Sequence, residues 1–295
     1  MSRLSKLVIG CGYLGHRVAQ AWVDAGDEVF ALTRQQEKAQ QWAAAGLQPI
    51  VADVTQPETL AALSALPELS SVLYAVGFDR QASASMRQVY VDGLSQVLQH
   101  LPAVERFIYI SSTGVYGQTE GDWVDETSPC VPVRENGKVC LDAESILQAH
   151  PQLGPRSTVL RLAGIYGPGR VPHQQLVRTG EPVPVDPSGY LNLIHVDDAA
   201  RVVQAAEHGP PGLYLVSDGC PVLRSDYYAE LARLLHAPPP TFTPPAVDSP
   251  VANRSLASKR ICNRRLLDQL PLKFLYPNFA AGLSAILQAE STGTV

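Results

Sequence analysis

The chain has 295 residues, of which 45% are hydrophobic and 17% charged, and these proportions are typical of an ordinary globular protein. A formal net charge of −5, with no dense run of Lys and Arg, argues against a nucleic acid or an anionic membrane as partner. The main basic cluster, Lys259-Arg260 with Arg264-Arg265, is predicted to be a solvated helix face. No stretch approaches the roughly 20 apolar residues of a transmembrane helix.

The cysteines indicate the redox environment. Cys11, Cys130, Cys140, Cys220 and Cys262 are widely scattered and never in C-x-x-C spacing. Neither a disulfide framework nor a zinc site follows from such a pattern, and no other residues have metal-ligand spacing. Unpaired cysteines suit a reducing compartment, so we expect a cytoplasmic location and no bound metal.

The first motif in chain order is a glycine-rich turn. An apolar segment, residues 7–9, runs into Gly10-Cys11-Gly12-Tyr13-Leu14-Gly15, and a helical run follows to Ala25. In this G-x-G-x-x-G spacing Gly10 allows the tight turn, Gly12 lets the backbone approach a pyrophosphate, and Gly15 lets helix and strand pack closely. The phosphates would lie at the helix N-terminus. The strand before and the helix after favour a dinucleotide site over a glycine loop that merely packs.

Strand-like and helix-like segments then alternate through the first half of the chain. Further strands are predicted at 28–33, 47–51, 71–76, 106–111 and 156–163, with helices at about 12–25, 35–45, 56–66, 81–100 and 136–149. This βαβ alternation predicts an α/β fold, a doubly wound parallel-sheet Rossmann domain with helices on both faces. We expect this domain to span residues 1–165. A small C-terminal substrate lobe, interleaved with the last strands, would span 166–295, with an extended proline-rich linker at 237–250.

The end of the second strand bears on the choice of nucleotide. NAD sites usually place a carboxylate there, whereas this chain has Arg34, whose guanidinium suits a 2′-phosphate. NADP is therefore the expected cofactor, with NAD as the alternative and a solvated Arg34 as the other interpretation. Asp53 either accepts from the adenine amino group or caps the next helix. We expect the cofactor to contact these residues at the strand ends: Gly10, Gly12, Tyr13, Leu14, Gly15, Thr33, Arg34, Asp53, Val54, Ala75, Val76 and Gly77.

Four later segments resemble the extended short-chain dehydrogenases/reductases, the sugar-nucleotide epimerase and dehydratase group. Residues 107–117 (FIYISSTGVYG) are similar to the strand-five motif, 125–129 (DETSP) to the acidic loop, 161–169 (RLAGIYGPG) to the strand-six signature, and 194–199 (IHVDDA) to a later motif. The segment 259–263 (KRICN), with Tyr276-Pro277, resembles the YeeZ-type branch more specifically. One departure is the G-x-G-x-x-G turn, where relatives usually show G-x-x-G-x-x-G.

The resemblance implies a catalytic Ser/Thr with a Tyr and Lys in Y-x-x-x-K spacing. Alignment on Ala143-Glu144 places Asn136 at the tyrosine and Cys140 at the lysine position, so both catalytic groups are missing. Asn136 forms hydrogen bonds but delivers no proton near neutral pH. Cys140 is expected to be a packed, unperturbed thiol. Ser112 stands at the serine position and either holds a substrate hydroxyl or bonds the backbone.

Neighbouring residues offer no obvious replacement. Lys138 lies about 200° around the helix from Cys140 and should face away. His195, Asp197 and Asp198 are expected to pack the lobe and cap a helix. Arg170 follows a segment at which relatives bind substrate phosphates, and it is a candidate for contact with an anionic group.

Three functions remain open at this point. The first is an NADP-dependent oxidoreductase of atypical short-chain type, acting on a small molecule that the sequence does not identify. The second is a non-catalytic NADP(H)-binding sensor, regulatory or assembly protein. The third is a non-redox enzyme that reuses the cleft. Relatives often dimerise through the helices beside the site, so a homodimer is possible.

Overall fold

The computed structural model describes residues 3–245 and 258–293, and its centre is a seven-stranded parallel sheet. The spatial order is β11-β7-β5-β4-β1-β2-β3, which winds outward in both directions from the first strand. This confirms the predicted doubly wound α/β Rossmann fold. The strands are β1 (Ser5–Ile9), β2 (Glu28–Thr33), β3 (Gln48–Val51), β4 (Leu69–Tyr74), β5 (Val104–Ser112), β7 (Ser157–Leu162) and β11 (Gly212–Val216).

Helices cover both faces of this sheet. They are α1 (Gly15–Asp24), α2 (Gln36–Ala44), α3 (Gly93–His100), α4 (Glu135–Ala149) and α6 (Val196–His208). The apolar face of α1 buries Val18, Ala19 and Trp22 against one side of the sheet, where α6 also packs. A second cluster on the other side includes Leu94, Val97 and Ala143 from α3 and α4. Because both faces are covered, central strands such as LVI of β1 are continuously apolar.

The remaining elements form the smaller lobe and its connections. They are β6 (Asp122–Val124), β8 (Gly164–Tyr166), α5 (Gln174–Thr179), β9 (Tyr190–Leu191), β10 (Leu193–His195), β12 (Val222–Leu223), α7 (Arg224–Leu234), β13 (Lys259–Ile261), α8 (Arg264–Gln269) and α9 (Phe279–Thr292). The strands among these elements form three two-stranded sheets: β8 with β10, β9 with β12, and β6 with β13. Since β11 belongs to the main sheet, the chain returns to that sheet after residue 166. The division at 165/166 stays a prediction.

Several local predictions were wrong. The helix predicted at about 56–66 is present as a 3₁₀ helix over residues 57–65, but residues 81–85 are not helical and the helix predicted for 81–100 begins at Met86. The basic cluster is not one solvated helix face, because Lys259 lies buried in strand β13. In the predicted linker, Val183 donates to Thr241 at 2.8 Å and accepts from Thr243 at 3.0 Å, so this part pairs with the lobe. Residues 246–250 of that linker lie outside the described residues.

Candidate cofactor and substrate site

The three glycines of the turn are required for different reasons. Gly10 has a φ of +92°, and a Cβ there would overlap the backbone of Ala75 at the end of β4. A Cβ on Gly15 would overlap the carbonyl of Gly10, so this glycine permits close packing of α1 on the turn. A Cβ on Gly12 would meet no atom within 4 Å. The open space above Gly12 is where the fingerprint expects a pyrophosphate.

A cavity of about 450 Å³ lies at the carboxyl ends of β1, β2 and β4. Its lining includes every predicted cofactor residue except Gly15, which is buried between turn and helix. Sequence reasoning did not single out three other lining residues, Lys38, Trp42 and Asp79. The structure therefore brings the predicted residues together around one space suited to a nucleotide. Their individual contacts with a cofactor remain predictions.

The end of this cavity beside β2 carries mixed charge. The Arg34 guanidinium lies 3.2 Å from Asp79 Oδ2, and both side chains are about half exposed. Lys38, in the first turn of α2, lines the same wall. Hydrogen bonds from the Gln81 backbone and from Arg34 hold the pKa of Asp79 below its usual range. A 2′-phosphate here would meet two cations and one carboxylate.

Asp53 has a local structural role. Its Oδ1 accepts from both the backbone N–H and the hydroxyl of Thr55, at 2.8 Å each. The helix at 57–65 has no side-chain cap, so Asp53 orders the turn before this helix and does not cap it. The alternative contact, with adenine, stays a prediction because Asp53 also lines the cavity.

Tyr13 closes the cavity towards the smaller lobe. Its hydroxyl donates to Pro168 O at 3.0 Å, while the guanidinium groups of Arg17 and Arg170 lie 4.5 and 5.5 Å from its ring centre. Arg17 is paired with Asp197 at 2.8 Å, whereas Arg170 lines the cavity itself. This location is consistent with the prediction that Arg170 contacts an anionic group.

The residues at the predicted catalytic positions lie on two elements: Ser112 ends β5, and Asn136 and Cys140 belong to α4. Ser112 Oγ accepts from Gly114 N at 3.0 Å, which is the backbone role left open by the sequence, and no described residue accepts from its hydroxyl. The position of a Cβ on Gly114 would be 3.2 Å from Ser112 Oγ, 3.4 Å from an Arg134 guanidinium nitrogen and 3.9 Å from Asn136 Nδ2. Asn136 and Cys140 are one helical turn apart in α4. At the two positions predicted for the catalytic pair, the chain therefore has an amide and a buried thiol.

Cys140 and Tyr116 are unsuited to proton transfer. Burial raises the pKa of Cys140 to about 11, so its thiol stays protonated. Burial also raises the pKa of Tyr116, whose hydroxyl accepts from Arg161 at 2.7 Å. Arg161 in turn makes a two-pronged ion pair with buried Glu144, at 3.0 and 2.6 Å. Lys138 is exposed and faces away from buried Cys140, as predicted, and its ammonium group lies 3.6 Å from Glu135.

The cluster of His195, Asp197 and Asp198 has a structural role, as predicted. His195 Nδ1 accepts from Asp197 N at 3.2 Å and caps α6. Asp198 accepts from the backbone N–H groups of Leu275 and Tyr276, at 2.6 and 3.0 Å. Burial lowers the pKa of His195, which keeps the ring neutral between Tyr166 and Tyr276.

Residues 3–245 and 258–293 contain neither a metal-binding cluster nor a membrane-spanning helix. No group of three or more His, Cys, Asp or Glu side chains in these ranges is arranged to hold a metal ion. No helix in the same ranges combines the length and apolarity needed to cross a membrane.

The chain belongs to the NAD dependent epimerase/dehydratase family, whose model matches residues 7–216. It is 28% identical over 242 residues to Protein YeeZ of Escherichia coli K12, covering 80% of this chain and 85% of that protein. It is 32% identical over 232 residues to a 4-hydroxy-2-methyl-3-oxo-4-farnesyl-3,4-dihydroquinoline-1-oxide ketoreductase of Stigmatella aurantiaca, covering 73% and 69% of the two chains. A structure described as a putative NAD-dependent epimerase/dehydratase from Methylobacillus flagellatus has a TM-score of 0.79 and 33% identity, covering 98% and 100%.

Proposed function

We propose that this protein is an NADP-dependent oxidoreductase that transfers a hydride between the cofactor and a carbonyl or alcohol group of a small molecule. The observation that carries the proposal is the nucleotide cavity, which is lined from the glycine turn to Arg34 and reaches Ile110 of β5, two residues before Ser112. The hydroxyl of Ser112 donates to no described residue. Similarity to a protein named as a ketoreductase supports the same reaction class. Ordinary epimerase or dehydratase turnover is not proposed, because Tyr and Lys are replaced by Asn136 and Cys140.

The preference for NADP is supported by charge. Arg34 and Lys38 line the wall where the second strand ends, and an arginine fork pairs well with phosphate oxygens. Asp79 is already engaged by Arg34 and by the Gln81 N–H. A 2′-phosphate would compete with Asp79 for Arg34.

The chain's own groups would orient the substrate more than they protonate it. When bound, the nicotinamide supplies the hydride, and Ser112 and Asn136 each offer a hydrogen-bond donor to a substrate oxygen. Neither group releases a proton near neutral pH, so the proton that accompanies the hydride comes from water or from a group of the substrate. We expect slow turnover, because general acid–base assistance is typically worth 10²–10⁴-fold.

The test is oxidation of NADPH in the presence of a panel of ketones and aldehydes. We expect at least one compound to be reduced, and Ser112→Ala to lower that rate by about a hundredfold through loss of a donor at the developing oxyanion. Ser145→Ala is the matched control, because this exposed serine of α4 bonds only its own helix. Equal rates for wild type and Ser112→Ala would contradict the role of Ser112.

A second candidate is a non-catalytic NADP(H)-binding protein with a sensing, regulatory or assembly role. The replacement of both catalytic residues while the nucleotide cavity is retained is the observation that favours it. Tight binding of NADPH, with no oxidation by any carbonyl compound and with a protein that co-purifies, would support this candidate over the first.

A further inference from the structure

Lys259 is held at a fixed place by the smaller lobe. It begins β13, which pairs in parallel with β6. The side chain of Asn192 binds the edge of this strand that β6 leaves unpaired: Nδ2 donates to Lys259 O at 2.8 Å, and Oδ1 accepts from Ile261 N at 2.7 Å. The backbone around Lys259 is therefore fixed beside the end of the main sheet.

The ammonium group of Lys259 is buried without an anionic partner. The residue is 6% exposed, its Nζ donates to Tyr116 O at 2.8 Å, and no carboxylate of the described residues lies within 4 Å. Lys6 is equally buried but lies 2.9 Å from Asp27 and 2.7 Å from Glu207. A buried charge usually has such a partner, because its desolvation costs several kcal/mol. Lys259 lacks this compensation and retains donor capacity.

The surroundings of Lys259 are rich in donors. Its bonding partner Tyr116 is four residues beyond Ser112, on the turn that continues through Gly114. Arg134 reaches the same turn with its guanidinium, close to Ser112 and Asn136. Burial and the charge of Arg134 lower the pKa of Lys259 to about 8. The nearby carboxylate of Glu144 is already occupied by Arg161. Two cations and two neutral donors thus lie around one turn.

We propose that Lys259 provides an anion-binding subsite that holds a carboxylate or phosphate group of the substrate beside Ser112, with the positive charge of Arg134 adding to the potential there. This inference rests on the proposed oxidoreductase function, since it assigns the substrate end of the same cleft. An anion there would accept from Lys259 Nζ and would compensate its buried charge. The substrate class is therefore a carbonyl or hydroxyl compound that bears an acidic group.

The test is calorimetric titration of the NADP⁺-saturated protein with sodium phosphate and, separately, sodium acetate at constant ionic strength. Saturation with NADP⁺ fills the sites for the cofactor's own phosphates, and the two probes distinguish a phosphate from a carboxylate ligand. We expect at least one anion to bind wild type and to bind Lys259→Met about tenfold more weakly or worse, through loss of a charge-assisted hydrogen bond. Lys259→Arg should retain part of the binding, and exposed Lys138→Met should match wild type.

Equal anion binding by wild type and Lys259→Met, or binding of neither anion by wild type, would overturn the proposal. NADP⁺ affinity, measured on the same variants, should be unchanged. If wild type itself does not bind NADP⁺, the proposed function is contradicted instead. If Lys259→Met does not fold, ¹³C-lysine NMR of wild type gives the answer: an anion must shift the Lys259 Cε signal, and an unmoved signal rejects the subsite.

Discussion

At the scale of single residues, Asp218 is the carboxyl group whose environment is least favourable to its charge. Its Oδ1 accepts from Cys220 N at 2.9 Å, while Oδ2 is buried without a partner among the described residues. Burial, with a smaller contribution from Asp198, raises the pKa of Asp218 to about 7. The nearby hydroxyl of Tyr166 is also buried without a partner in that set. The folded state therefore favours the protonated acid.

This pKa predicts a specific pH dependence of stability. The unfolded pKa is near the ordinary 3.8, so between about pH 4 and 7 the unfolded chain loses this proton first and the group's contribution to stability falls as pH rises. Asp218→Asn can still accept from Cys220 N but has no proton to lose in this range. At pH 8 its free energy of unfolding should therefore exceed that of wild type by on the order of 1 kcal/mol. Urea unfolding at pH 5 and pH 8 measures the difference.

The control for this prediction is Asp268→Asn, since Asp268 is exposed on α8. That variant should follow wild type at both pH values. If the stability of Asp218→Asn also changes with pH as that of wild type does, the buried carboxyl does not titrate in this range.

At the scale of elements, the glycine turn is the part of the site that the sequence specified best. Its spacing is local, and the flanking strand and helix are recognisable from apolar patterning, so the roles of Gly10 and Gly15 follow from residues close in the chain. Strand β13 is the opposite case. Lys259 meets Tyr116 across 143 positions of sequence, and no local pattern signals that contact. Composition alone does not distinguish the buried lysines, Lys6 and Lys259, from the exposed ones.

Two alanine substitutions separate folding from cofactor binding in this turn. Gly12→Ala meets no atom within 4 Å, so we expect normal stability but about tenfold or greater loss of NADP⁺ affinity, because the methyl group would occupy the pyrophosphate's approach. Gly10→Ala overlaps the Ala75 backbone at positive φ and should lower the free energy of unfolding by roughly 2–4 kcal/mol. Thermal unfolding measures the stability of each variant, and calorimetric titration measures its NADP⁺ affinity. Full NADP⁺ affinity in Gly12→Ala would contradict the assigned pyrophosphate position.

At the scale of the whole molecule, the doubly wound parallel sheet and the two-sided core followed from the βαβ alternation, because parallel strands need crossover helices and right-handed connections leave few arrangements. Residues as far apart in sequence as Gly12, Arg34 and Gly77 follow the ends of these strands and line one cavity. The smaller lobe was less predictable. Its short strand pairs join segments far apart in sequence, such as β6 with β13, and each is too short to show a clear period.

The central claim is that this cavity binds a nicotinamide dinucleotide and selects NADP through Arg34. Calorimetric titration of wild type and Arg34→Gln with NADP⁺ and with NAD⁺ tests it most directly. We predict micromolar binding of NADP⁺ by wild type, about tenfold or more tighter than NAD⁺, with this difference lost in Arg34→Gln. Equal affinities of wild type for the two nucleotides would contradict the selection by Arg34, and binding of neither would contradict the assignment of the cavity itself.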